Sequence, residues 1–201
     1  PGVGDLLTLD TTGDDVRFNG PVILNSSVAV TTDAADAGTI TFTNDAPIDS
    51  QTGESNNLTL TAGTGRVLFN EDLGSSESLG ALTVTRADGG VVFGQSDSET
   101  VGAGTTGPVN VVNTDDAIDI GSTNVITSGI VLNGGTEIAG DRITFTTTDD
   151  DVRFNGAVTL QTSLTIDTDD SVGNVTFTSG STIDSGDGSD VAAAATSDER
   201  N

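Results

Sequence analysis

Residues 11–24 read TTGDDVRFNGPVIL, and residues 147–160 read TTDDDVRFNGAVTL. The two stretches lie 136 residues apart, from position 11 to position 147. The likeness reaches back to Leu7 and Ile143. After a one-residue deletion in the second copy, it reaches forward through TITFTNDAPIDS (39–50) and NVTFTSGSTIDS (174–185). Self-similarity at a fixed offset is the signature of a repeat architecture. The chain is therefore read as one long repeat, residues 7–142, followed by part of a second, residues 143–201, within a single segment spanning 1–201.

A shorter and looser period sits inside the long one. One class of short alternating segments reads Leu7-Thr8-Leu9, Val28-Ala29-Val30, Leu58-Thr59-Leu60, Leu82-Thr83-Val84, Ile143-Thr144-Phe145 and Leu164-Thr165-Ile166. A second reads Val16-Arg17-Phe18, Ile40-Thr41-Phe42, Val67-Leu68-Phe69, Val91-Val92-Phe93, Val152-Arg153-Phe154 and Val175-Thr176-Phe177, with residues 117–120 assigned to it. A third, marked by Leu24, Ile48, Leu160 and Ile183, follows about six residues behind the second. Gly, Asn and Asp separate these segments, as turn chemistry requires. In a strand, residues i and i+2 share a face, so the apolar flanks point inward and the middle residue outward. Phe18, Phe42, Phe69 and Phe93 are spaced by 24, 27 and 24 residues.

The expected fold is all-β: a parallel β-helix (β-solenoid) of about 24 residues per coil, with three short strands in each. An interior Phe ladder should run along its axis and continue through Ile120, Phe154 and Phe177. A β-sandwich is the rival, but it needs hairpins and no regular return. Only residues 191–195 have helical propensity, too few for a stable helix. Asn19-Gly20 and Asn155-Gly156 are expected at corners, where tolerance of positive φ helps the chain bend.

Composition fits a thin core. Apolar residues make up 33% of the 201, aromatics 3%, and all seven aromatics are Phe. The net charge of −25 argues against nucleic acid and anionic membranes, whose charge would be repelled. No apolar run approaches the ~20 residues that cross a bilayer, so membrane insertion is not expected. Low Lys with abundant Asp, Thr, Ser, Asn and Gly points to an extracellular or cell-surface location.

Cys and His are absent, which removes Cys/His and Ser/His nucleophilic pairs and the usual zinc sites. No GxxxxGK phosphate loop exists, and the chain has no Lys to complete one. The chain is not expected to be an enzyme, and no catalytic, cofactor or metal residue is assigned. Calcium is the one candidate ion, through Asp14-Asp15, Asp149-Asp150-Asp151, Asp167-Asp169-Asp170 and Asp184-Asp187-Asp190. Asp is also simply a favoured turn residue. Asp15 and Arg17, like Asp151 and Arg153, are expected as local surface pairs. Thr8, Thr59, Thr83, Thr144 and Thr165 should form one outward row, with Thr31, Thr61, Thr85 and Thr146 beside it. Such rows suit strands facing water.

VRFNGxVxL and LTLTAGTGRVLF resemble the repeat regions of large bacterial surface proteins, the filamentous-haemagglutinin-like and autotransporter-type β-solenoid adhesins. The resemblance implies a right-handed parallel β-helix, export to the cell surface, and a role as stalk, adhesin or fibre. The function expected is thus a structural component of an extracellular fibre or stalk, with copies of itself or neighbouring repeats as end-to-end partners. The alternative is an adhesin module that grips carbohydrate or another surface through outward loops at 95–107 and 74–79.

Overall fold

A computed structural model describes residues 5–33, 35–94, 109–133, 142–169, 172–178 and 181–185. The loop at 95–107, Asp170, Asp187, Asp190 and residues 191–195 fall outside that set. Among the described residues the chain is all-β, and no helix is long and apolar enough to cross a membrane.

The chain passes repeatedly through three sheets in a fixed order. The first circuit is β1 (Leu6–Asp10), β2 (Val16–Phe18) and β3 (Val22–Leu24), and the second is β4 (Ser27–Thr31), β5 (Ile40–Phe42) and β6 (Ile48–Ser50). The third is β7 (Leu58–Gly63), β8 (Val67–Phe69) and a single bridging residue, Leu73. The fourth is β9 (Leu82–Ala87), β10 (Val91–Phe93) and β11 (Val111–Asn113). The fifth is β12 (Ile118–Ile120), β13 (Ile126–Leu132) and β14 (Arg142–Thr146), and the sixth β15 (Val152–Phe154), β16 (Gly156–Leu160) and β17 (Ser163–Asp167). β18 (Val175–Phe177) and β19 (Ile183–Ser185) follow.

Two seven-stranded sheets result, β1-β4-β7-β9-β12-β15-β18 and β2-β5-β8-β10-β13-β16-β19. The third is carried by β3-β6, by Leu73 bridging Ile48 to Val112, and by β11-β14-β17. Every strand pairing is parallel, and the stacked sheets are compatible with a β-solenoid. Paired residues lie 24 apart at Val16↔Ile40 and Leu58↔Leu82, but 21 apart at Leu6↔Ser27 and 39 apart at Val91↔Ile130.

The uneven circuits have a consequence for the long repeat. Val16-Arg17-Phe18 lies in the second sheet, paired with Ile40–Phe42. Its identical counterpart Val152-Arg153-Phe154 lies in the first, between Ile118–Ile120 and Val175–Phe177. The whole second copy is displaced by one sheet: Ile143-Thr144-Phe145 joins the third, and residues 156–160 the second. Local structure is nevertheless the same in both copies. Thr11 Oγ1 donates to the Asp14 carbonyl at 2.8 Å, and Thr147 Oγ1 to the Asp150 carbonyl at 2.6 Å. Gly13 and Asp149, at equivalent positions, both adopt left-handed φ, 79° and 61°.

Positive φ thus falls in the turn before the Val-Arg-Phe strand, and not at the corner after it, where Asn19-Gly20 and Asn155-Gly156 were expected to use it. Asn155 serves differently: its buried Nδ2 donates to the Gly121 carbonyl at 2.8 Å, tying one circuit to the next. Gly94 shows why some corners demand glycine. Its φ is +74°, and an added Cβ would lie 1.7 Å from the Asn133 carbonyl oxygen of the following circuit.

The interior holds one continuous column of all seven Phe rings. Phe18, Phe42, Phe69 and Phe93 stack with centroids 4.7, 5.5 and 4.8 Å apart, each on the second sheet. The next contact is not Ile120, as the spacing suggests, because the residue paired with Phe93 is Leu132 and Ile120 lies in the first sheet between Val84 and Phe154. Phe145 from the third sheet fills the gap. It meets Phe93 and Phe154 edge-on, at 5.3 and 5.4 Å. Phe154 then stacks with Phe177 at 5.3 Å. The displacement of the second copy thus moves the column across the core, and one edge-to-face ring joins its two halves.

Phe69 is fully buried with a stacked ring on each side. Phe18 is partly buried with a ring on one side. Truncating Phe69 to Ala should cost about 3–5 kcal/mol, and truncating Phe18 less than half as much, by urea unfolding. Equal losses would contradict the column as the core of the fold.

Candidate functional site

Carboxylates are the most abundant chemistry-bearing groups, and the structure shows what they accept. Asp15 Oδ1 takes the Thr39 N–H of the next circuit at 2.7 Å, and Asp151 Oδ1 takes the Asn174 N–H at 2.8 Å. Asp49 Oδ1 accepts from Ser76 and Glu77 at 2.9 and 3.3 Å, and Asp72 Oδ1 from Asn110 and Val111 at 2.7 and 3.0 Å. Each fastens a turn to the turn stacked on it. Hydrogen bonds to charged acceptors are stronger than neutral ones, so turn carboxylates extend the ladder beyond the strands. Of the residues singled out for calcium, Asp15 and Asp151 are two of these fasteners, while Asp167 Oδ1 accepts the N–H of Asp169 within its own turn at 3.1 Å. Among the described residues, no three acidic side chains gather in a group suited to a metal.

The arginines depart from the expected local pairs. Arg17 Nε donates to Asn19 Oδ1 at 2.6 Å. Arg153 Nη1 donates to Asp119 Oδ1 at 2.7 Å, across the strand pair β12–β15 where the two residues stand opposite each other. The register therefore decides the pair, as it does wherever side chains stand opposite across strands.

The threonine row is interrupted. On the first sheet the outward column runs Thr8, Ala29, Thr59, Thr83, Asp119, Arg153, Thr176. Thr144 and Thr165 lie in the third sheet instead, beside Val111. Thr61 pairs with Arg86, not Thr85, because the register shifts after Leu60↔Val84. The second sheet is different again: its outward positions at β8 and β10 are Leu68 and Val92, and both are buried. The unbroken apolar runs VLF and VVF were the signal for this, since a strand buried on both faces does not alternate.

Loop 74–79 is stitched to the body. Gly74 N–H reaches the Ile48 carbonyl at 2.7 Å, Ser78 Oγ donates to Asp115 Oδ1 at 2.6 Å, and Leu79 is fully buried. Asp115 also accepts from Ser55 Oγ.

Glu71 stands at a corner between the second and third sheets. Its carboxyl is held above the ordinary value of 4.5, first by partial burial and then by Asp72 and Asp45. Compared with known proteins, the chain matches no family model, no curated protein and no solved structure.

Between pH 4.5 and its raised folded value, the folded chain binds more protons at Glu71 than the unfolded chain does. The group's contribution to stability therefore falls as pH rises through that window. Glu71→Gln should raise the melting temperature at pH 7, and the gain should vanish below pH 4.5. A gain of the same size at both pH values would show that the effect is not ionisation.

Proposed function

We propose that the chain is a segment of a right-handed parallel β-helix serving as a structural component of an extracellular fibre or surface stalk. Its most regular turns take about 24 residues. The resemblance of VRFNGxVxL and LTLTAGTGRVLF to bacterial surface-protein repeats supports the reading. So does a net charge that keeps an extended surface solvated.

The observation that carries it is the parallel stacking itself: seven strands lie one on the next in each of two sheets, and mid-stack apolar residues such as Leu60, Phe69 and Leu82 are fully buried. Stacked repeats gain stability from each added neighbour, so such an architecture extends along one axis. A role in extension suits such a shape better than one in catalysis.

The seven described strands of the first sheet span about 29 Å at ~4.8 Å per step. Negative-stain electron microscopy of native material should show continuous filaments much longer than that, with an axial repeat. Isolated stalks ending in a distinct tip would favour the adhesin reading, and compact particles would overturn both.

A further inference from the structure

Asn-x-Ser/Thr triplets occur at Asn25-Ser26-Ser27, Asn57-Leu58-Thr59 and Asn174-Val175-Thr176. Such a triplet can accept N-linked sugar where its asparagine reaches the surface. Asn25 and Asn174 lie toward the two ends of the described stack. Asn57 lies inside it, with a described circuit on each side.

Asn57 stands at the corner leading into β7 and is exposed. All but one of its polar groups are engaged. Its backbone N–H donates to Ser27 Oγ at 3.2 Å, its carbonyl accepts from the Val28 N–H at 2.8 Å, and its Oδ1 accepts from the Ala81 N–H at 2.8 Å. Nδ2 has no hydrogen-bond partner among the described residues. The side chain is thus pinned by its oxygen, which leaves its nitrogen to solvent. Gly80 makes room for this: a Cβ there would lie 2.1 Å from Asn57 Oδ1. The flanking circuits carry only short side chains at the corresponding position, Ser27 and Ala81. Thr59 stands two residues further on, so both ends of the triplet share the outward face. Asn174 differs. Its Nδ2 donates to Asp151 Oδ1 at 3.0 Å and to the Val172 carbonyl at 3.4 Å, so a sugar would have to displace a bond.

We propose that Asn57 is a glycosylation site, its Nδ2 taking a sugar from an activated donor whose anomeric carbon is bonded to phosphate. The N–C bond forms as the anomeric C–O bond breaks. Phosphate leaves with the electron pair, and Nδ2 gives up one proton. The amide carbonyl is unchanged, so Oδ1 keeps the Ala81 N–H and the junction between circuits stays intact. The sugar adds hydrated bulk beside the uncharged outward column Ala29, Thr59 and Thr83. The site goes beyond the fibre role and rests on the extracellular location proposed with it.

The test is glycopeptide mass spectrometry of the full chain purified from its native source. Fragmentation is needed to place the sugar, because cleavage after arginine leaves Asn25 and Asn57 together on residues 18–66. Asn57 should carry sugar. Thr59→Ala, produced in the same source, should lose it, and Thr59→Ser should keep it. Both variants retain Asn57 and its bond to Ala81, and circular dichroism confirms that each is folded. A bare Asn57 in native material overturns the proposal, as does sugar that persists at Asn57 in Thr59→Ala. If native filaments are seen by electron microscopy while Asn57 is bare, the fibre reading stands and only this site has failed. Sugar on Asn57 of a protein that forms no filaments keeps the site and removes the fibre.

Discussion

The parallel ladder between circuits is the constraint on which the rest depends. Each described strand takes its partner from the circuit before or after it, so outside the register shifts in β7–β9 and β13–β16 side chains stand over the corresponding position of the neighbouring strand. Side chains therefore organise as columns. Phe rings stack on Phe rings within the second sheet, turn carboxylates cap the next turn's N–H groups, and Arg153 meets Asp119 because the register puts them side by side. A core one or two side chains wide then suffices, because each layer is covered above and below. A chain with 3% aromatics and 33% apolar residues can fold this way, though it could not fill a broad globular core.

The strands were legible in the sequence, since alternation and turn residues are local signals. The Phe spacing gave the second-sheet column from Phe18 to Phe93, and the same local turn recurs at Gly13 and Asp149. Which sheet a strand joins was not legible. That depends on how many residues each circuit spends on its corners, and the separation of paired residues ranges from 21 to 39. Val16-Arg17-Phe18 and Val152-Arg153-Phe154 are the same words on different faces for this reason. The role of Phe145 and the move of Thr144 and Thr165 to the third sheet follow from that displacement, whereas Ile120, within the first copy, joins the first sheet through its pairing with Val84. Positive φ at the Asn-Gly corners was a propensity argument overridden by context. Asn155 is placed by its hydrogen bond to Gly121 rather than by backbone tolerance.

The displacement also bears on the proposed role. A repeat that advances by a whole number of circuits would show the same face along one side of a rod. Here the second copy turns its Val-Arg-Phe strand to the neighbouring sheet, so equivalent surface residues are distributed around the axis. In a fibre, that arrangement spreads surface features over the circumference instead of lining them along one stripe. Asp15, Asp49, Asp72 and Asp151 are occupied in joining turns, consistent with a proposed role that is mechanical before it is chemical.

The displacement can be tested directly, because the chain contains no Cys and introduced pairs are unambiguous. Opposite residues on adjacent parallel strands stand about 4.8 Å apart, inside the Cα separation a disulfide spans. Asp119→Cys with Arg153→Cys should cross-link readily under mild oxidation, and Val131→Cys with Arg153→Cys should not. The reverse pattern, Arg153 linking to the β13 position, would place the second Val-Arg-Phe strand back on the second sheet and contradict the account.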